Sequence, residues 1–340
     1  MKVTIKDIAR EMNTAYSTVS RALNNKPGIS EAKRQEILLK AKEMGYEPNL
    51  VARQLRSGGS KTIGLIVPRI NRVFFSNVIH GVETEAKAKG YSVIICQSNE
   101  TEEEETDCIR TLLTNNVAGI LMSHSKKTEK PGIHDEILER KMPFVMFDRI
   151  FPEMLINKVF NDNFNGAYAL TKHLIDQGYS KIVHFAGPLT TNIYRERKEG
   201  YKKAMLDNNL PIFPGSIAEH VITKESGYTA TEKLLESKQS FDAIFAASDF
   251  SALGAMLKLQ ESGVDIPGQV GVAGYSNEPF TELLHLTSVD QHSTEIGRSA
   301  ARLLFEEINE NGAKHMKKEV VIKTELIIRE STNKKKSHEI

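Results

Sequence analysis

The stretch Thr4–Asn25, TIKDIAREMNTAYSTVSRALNN, holds two short helical patterns with a break between them. Thr4 stands in cap position for a helix starting at Ile5, with Asp7 in the first turn, where the helix dipole favours a carboxylate. Ile5, Ile8, Ala9 and Met12 recur at helical spacing and make one apolar stripe. Asn13-Thr14-Ala15-Tyr16 interrupts the pattern. A second helix is expected from about Ser17 to Asn24, with Val19, Ala22 and Leu23 sharing a face. Pro27-Gly28 ends that region, and Ser30 opens a third helix carrying Ile37, Leu38, Ala41 and Met44 and closing at Gly45. Two helices joined by a tight turn and braced by a third form a helix-turn-helix plan.

The second helix turns Tyr16, Ser17, Thr18, Ser20 and Arg21 away from its apolar stripe. Such types suit a DNA major groove. Arg donates two bonds to guanine, hydroxyls serve donors or acceptors, and Tyr adds apolar contact. Periodicity alone fits a solvated face of a three-helix bundle equally well. Charge adds to the first reading: residues 1–61 hold 12 Lys/Arg and 6 Asp/Glu, a balance of +6, whereas the remainder sums to −5 and the whole chain to +1. A basic head on a mildly acidic body is the footprint of a polyanion-binding module joined to something else.

The 340 residues leave room for two or three domains. From Thr62 the apolar runs TIGLIV, SVIIC, GILM and FVMF alternate with helical segments near 75–89, 102–115 and 134–140. After VFND the alternation restarts, with IVHFAG, SIAEHV, AIFAA and VGVAGY between helices near 164–177, 194–209, 226–235 and 251–262. The fold class is therefore α/β: a small all-α head followed by two doubly wound parallel-sheet lobes. Ligands of such sheets lie at the carboxyl ends of the strands, so a cleft between the lobes is the expected pocket.

The segments TIKDIAREMNTAYSTVSRALNN, GISEAKRQEI and MGYEPNLVARQLRSG together resemble the DNA-binding head of the LacI/GalR family of bacterial transcription regulators. The likeness extends from residue 2 to about residue 332, and the lobes look like periplasmic sugar-binding proteins. It implies a helix-turn-helix domain at 1–47, a hinge helix and linker at 48–61, and an effector-binding and dimerisation domain at 62–332. The N-lobe would be about 62–160 plus 292–318, the C-lobe about 161–291 plus 319–332, with a disordered tail at 333–340. Carried over residue by residue, Tyr16, Ser17 and Arg21 are the base readers, while Thr4, Thr18 and Asn24 touch phosphates or support the helix. Asn13-Thr14-Ala15 departs from the family's usual turn and lacks a preferred capping hydroxyl.

Asn49, Ala52, Arg53 and Leu55 match the family's hinge helix, which forms when two subunits sit on DNA together. A helix this short is unstable alone, because nucleation costs more than so few hydrogen bonds return. The resemblance gives Leu55 the role of an apolar wedge in the minor groove, Arg53 and Arg56 that of phosphate partners, and Asn49 a groove or backbone contact. In the lobes, the same likeness puts Phe74, Phe75, Asp148, Arg197, Ser248, Asp249, Ser276 and Gln291 on effector-facing positions. Locally, Phe74 and Phe75 also fit the start of a buried helix, and Asp249 a plain N-cap. Arg197 lies in the R-x-x-G-[YF] pattern, where a guanidinium forks onto effector oxygens. Ser276 replaces the family's usual Asp, which removes a charged acceptor for sugar hydroxyls and inclines the reading toward a sugar acid or sugar phosphate over a neutral hexose.

The expected function is an operator-binding regulator, in its simplest form a repressor, that acts as a homodimer and responds to a small-molecule effector. The alternative is a cytoplasmic solute-binding or sugar-modifying protein on the same lobes. No G-x-S-x-G, H-E-x-x-H or C-x-x-C is present, so no catalytic residue, metal ligand or cofactor is assigned. GGSKT lacks the spacing of a phosphate-binding loop. The acidic run Glu102–Glu105 reads as a solvated start of a helix. Without an apolar run of membrane length or an export signal, the expectation is a cytoplasmic protein with no membrane partner, in which Cys96 and Cys108 are reduced.

Overall fold

The computed structural model of the chain describes residues 3–46, 60–237, 239–310 and 316–334. Its contacts divide the chain into two compact units, Met1–Ser60 and Lys61–Ile340. Among the described residues no helix is long and apolar enough to cross a membrane.

The first unit contains helices α1 (Ile5–Glu11), α2 (Tyr16–Leu23) and α3 (Glu31–Glu43). A capping box starts α1: the Thr4 side chain accepts from the Asp7 backbone, while Asp7 accepts from Thr4 N–H at 2.9 Å. This pairing holds the Asp7 carboxyl below its usual range. Ser30 caps α3 by accepting from Lys33 N–H at 3.3 Å. Ala15 precedes α2 and supplies no side-chain cap. Ile5, Ile8, Val19, Ala22, Ile37 and Ala41 are buried together, so the three stripes read from the sequence meet in one small core.

In the second unit the six-stranded sheet has the order β11-β5-β4-β3-β1-β2, all parallel. Its strands are β1 (Thr62–Val67), β2 (Ser92–Gln97), β3 (Ile120–Met122), β4 (Phe144–Phe147), β5 (Asn157–Asn161) and β11 (Glu319–Ile322). The four-stranded sheet runs β7-β6-β8-β9, from β6 (Ile182–Phe185), β7 (Ile217–Ala218), β8 (Ala243–Ala246) and β9 (Gly271–Ala273). A short antiparallel pair joins β10 (Ser288–Asp290) to β12 (Glu325–Ile327). Strands such as β4 and β8 are buried along their whole length, as the uninterrupted apolar runs FVMF and AIFA require of a sheet covered on both faces.

Helices α4 (Val73–Ala88), α5 (Glu102–Thr114), α6 (His134–Glu139) and α12 (Ser293–Asn309) accompany the first sheet. The second is accompanied by α7 (Asn163–Asp176), α8 (Asn192–Asp207), α9 (Lys224–Glu236), α10 (Asp249–Glu261) and the single turn α11 (Phe280–Leu283). Gly81 and Gly297 let α4 and α12 touch backbone to backbone, since a Cβ on Gly297 would stand 2.2 Å from Val78 O. The strand β11 lies in the first sheet, beside β5. The last crossing between lobes therefore falls at Lys323-Thr324, between β11 and β12, rather than at the 318/319 boundary expected from the sequence. The run EVVIKTELII has no Gly or Pro to mark that break.

Candidate functional site

A cavity of about 110 Å³ opens between the two sheets of the second unit, and its lining follows the carboxyl ends of their strands. Arg69 comes just after β1, Glu100 after β2, Lys126 after β3, and Asp148 and Arg149 after β4. The other wall brings Tyr194 from the first turn of α8, Ser248 and Phe250 after β8, Ser276 and Glu278 after β9, and Gln291 after β10. Helix α4 begins at the mouth, with Arg72, Phe74 and Phe75.

Arg197 sits at the centre of a buried polar chain. Its Nε donates to Asn163 Oδ1 at 2.9 Å, Nη1 to Ala247 O at 2.9 Å and Nη2 to Gln291 Oε1 at 2.8 Å. The guanidinium carbon lies 3.8 Å from the Tyr275 ring centroid. Gln291 Nε2 then donates to Ser276 Oγ at 3.0 Å. The residue standing where a carboxylate was expected is thus a relay of neutral groups, and Arg197 has no ion-pair partner among the described residues. These bonds occupy three of the five N–H groups of the guanidinium, and the Tyr275 ring covers one of its faces. The same helix explains the glycine of the R-x-x-G-Y pattern: a Cβ on Gly200 would lie 2.2 Å from Phe164 O of α7.

The opposite wall is built on charge. Arg149 Nη1 donates to Glu100 Oε2 at 2.7 Å, Lys126 N–H donates to the same oxygen at 3.0 Å, and Lys126 Nζ lies 3.4 Å from Glu100 Oε1. Burial works against ionisation of Glu100, yet Arg149 and Lys126 overcome it and hold the carboxyl below its usual range. Asp148 is buried, with φ of 58°, and Ser123 Oγ lies 3.5 Å from its carboxylate. Burial lifts that carboxyl to about 6 against the pull of Arg149 and Arg197. Glu278 is raised to about 7 by burial and by neighbouring Asp249. The cavity thus collects five cations (Arg69, Arg72, Lys126, Arg149, Arg197) and three carboxyls, two of them shifted toward neutrality. Arg72 lies over the Phe250 ring at 4.5 Å and so bridges the two walls.

Phe74, Phe75, Asp148, Arg197, Ser248, Ser276 and Gln291 all line this cavity. Asp249 does not. It is fully buried, and its carboxylate accepts from Ser288 Oγ at 2.6 Å and from Glu278 N–H at 2.8 Å. Ser248 is the N-cap of α10, and Asp249 ties the loop after β9, which carries Ser276 and Glu278, to Ser288 of β10. Sequence reasoning missed Arg69, Arg72, Glu100, Lys126, Arg149, Tyr194, Phe250 and Glu278. The signal available was position, since each polar one follows a parallel strand or opens a helix at the cleft. The acidic run also needs correction. Glu105 is buried on the inner face of α5, accepting from Ser125 N–H at 2.6 Å and facing His134 Nε2 at 3.6 Å. Burial raises its carboxyl to about 7, while Glu102, Glu103 and Glu104 stay exposed.

In the first unit Tyr16, Ser17 and Arg21 are exposed along α2, and Thr18 is half-buried on the same helix. Asn24 follows α2 and folds its amide back onto Ser20 O, donating from Nδ2 at 2.7 Å. The hydroxyl and N–H of Thr4 are both engaged with Asp7. Asn49, Ala52, Arg53 and Leu55 lie outside the described residues.

Residues 4–49 match the family model described as "Bacterial regulatory proteins, lacI family", and residues 60–330 match "Periplasmic binding proteins and sugar binding domain of LacI family". The chain is 32% identical over 335 residues to the HTH-type transcriptional repressor PurR of Vibrio parahaemolyticus serotype O3:K6, covering 97% of this chain and 99% of that protein. It is 33% identical over 312 residues to catabolite control protein A of Priestia megaterium, covering 91% and 93%. A solved complex of the transcriptional regulator CelR with cellobiose superposes with a TM-score of 0.73 at 28% identity, over 97% of this chain and all of that one. This chain belongs to the LacI family: it is a DNA-binding transcriptional regulator with an effector-binding domain, not an enzyme.

Proposed function

We propose that the chain binds a DNA operator as a homodimer and that an anionic small molecule, a sugar acid or sugar phosphate, sets its operator affinity from the cleft between the lobes. The cation surplus of the cavity carries this reading: five cations face three carboxyls, and Arg69, Arg72 and Arg197 form no salt bridge among the described residues, although Arg72 pulls on Glu278. An unpaired guanidinium in a partly dry cleft is best satisfied by a carboxylate or phosphate, which it binds in bidentate fashion. Phe74, Phe75, Tyr194 and Phe250 add flat apolar surface of the kind on which a sugar ring lies. Ser276, already engaged with Gln291, offers less to a neutral hexose than a free carboxylate would. In the head, Tyr16, Ser17 and Arg21 read bases while Thr18 and Asn24 approach phosphates; the hinge residues Asn49, Ala52, Arg53 and Leu55 enter the minor groove. The relatives named as repressors make repression the sign of control we adopt.

Isothermal titration calorimetry of the full chain against glucose, glucuronate, gluconate and glucose 6-phosphate tests the ligand class. Binding of at least one acidic member at ten-fold or better advantage over glucose is expected. Tight binding of glucose with none of the acids would overturn the assignment.

A further inference from the structure

Cys96 lies on β2, an edge strand of the six-stranded sheet, and Cys108 on α5, the helix that follows it. Both are unbridged and half-buried, and both pack against the same apolar cluster. The Cys108 thiol stands 3.5 Å from Gln97 O, one residue along β2 from Cys96. The neighbouring Cys108 side chain draws the Cys96 thiol down to about 7, with burial opposing, while Cys96 and burial push Cys108 up. A partly exposed sulfur with thiolate character beside a protonated thiol is the pairing that takes up oxidants reversibly.

We propose that Cys96 and Cys108 are a modification site: an oxidisable dithiol that reduces a hydroperoxide and closes into an intramolecular disulfide. The Cys96 thiolate attacks one peroxide oxygen, the O–O bond breaks, and the departing oxygen takes a proton and leaves as an alcohol, or as water from hydrogen peroxide. Cys96 is left as a sulfenic acid. The Cys108 sulfur then attacks the sulfenic sulfur, its proton joins the leaving hydroxide, and water departs as the S–S bond forms. Two thiols give up two electrons in total, and one hydroperoxide accepts them.

Closure removes the hydrogen that Cys108 directs at Gln97. Gln97 is also the brace of the cavity mouth. Its Oε1 accepts from Ile70 N–H at 2.8 Å, its Nε2 donates to Asn99, and Asn99 Nδ2 donates to Glu104 at 2.7 Å. Ile70 stands between Arg69 and Arg72, so oxidation loosens the segment that presents both cations. This holds whatever ligand the cavity takes.

The test treats the reduced full chain with hydrogen peroxide and follows intact mass, free thiols and amide exchange. A product about 2 Da lighter, with both thiols lost to alkylation and restored by dithiothreitol, is expected. Cys108→Ser should stop at a dimedone-reactive sulfenic acid on Cys96, whereas Cys96→Ser should leave Cys108 a thiol. The peptide spanning Ile70 should exchange at least three-fold faster in the oxidised chain. Both thiols surviving excess peroxide, separate over-oxidation of each cysteine, or disulfides only between chains would overturn the site. A disulfide with unchanged exchange at Ile70 would overturn its link to the cavity.

Discussion

Glu278 is the residue at which pH should be felt. Its carboxyl ionises near 7, raised from its ordinary value by burial and Asp249. Below that pH it is neutral and tolerates an anion in the cavity; above it, it repels one. Affinity for glucuronate or gluconate, fully ionised throughout, should fall as pH rises from 6 to 8, by roughly three- to ten-fold. Glu278→Gln should reduce the fall to the smaller part that Asp148, ionising near 6, still contributes, as calorimetry at three pH values can check. Stability follows the same sign, because the folded chain retains a proton that the unfolded chain has released, so stability drops as pH rises toward 7. Glu105 adds to this slope, whereas His124 and His134, lowered to about 4 by burial, act in the opposite direction only below about 6.5, where the unfolded imidazole titrates. Melting temperature should therefore decline between pH 6.5 and 8, less steeply in Glu278→Gln. Glu105 also shows the limit of reading residues singly. Four glutamates in a row look alike, and only the packing of α5 on the sheet selects the one turned inward beneath Ser125.

At the scale of elements, most of the fold was legible. Helices α1 to α3 and the buried strands appear within a few residues of where cap residues and apolar runs place them, because period and capping are local properties. The weak entry to α2 was legible too. Ala15→Ser should add about 0.5–1 kcal/mol to the stability of the head, read by denaturation of the full chain with amide exchange on residues 5–43 as the local probe. The last crossing was not legible, since a strand that leaves one sheet for another carries the same alternating pattern in both. The crossing of α7 and α8 makes a further test. Gly200→Ala puts a methyl into the backbone of α7, and a loss of about 1–3 kcal/mol in urea denaturation is expected, with weaker effector binding because α8 also carries Arg197.

For the whole molecule, the proposed base-reading helix and the cavity fall in different units of the chain, and coupling between them needs an element with two states. We propose that this element is the stretch around Leu55, whose good helix formers followed by Gly58-Gly59 have the composition of a helix that forms only with help. Leu55→Ala should lower operator affinity by ten-fold or more in fluorescence anisotropy, while calorimetry finds effector binding within two-fold of the parent chain. The polar wall of the cavity could be gathered only by the fold. Glu100, Lys126 and Arg149 come from three loops, and nothing short of the parallel sheet order brings them to one place. One measurement joins both sites: the full chain titrated against labelled DNA from upstream of its own gene, with and without glucuronate, gluconate or glucose 6-phosphate. Salt-dependent binding is expected, with a midpoint that moves ten-fold or more with an acidic sugar and stays in place with glucose. Absence of binding even at low salt, or a midpoint indifferent to every acidic sugar that calorimetry shows to bind, would contradict the proposed function.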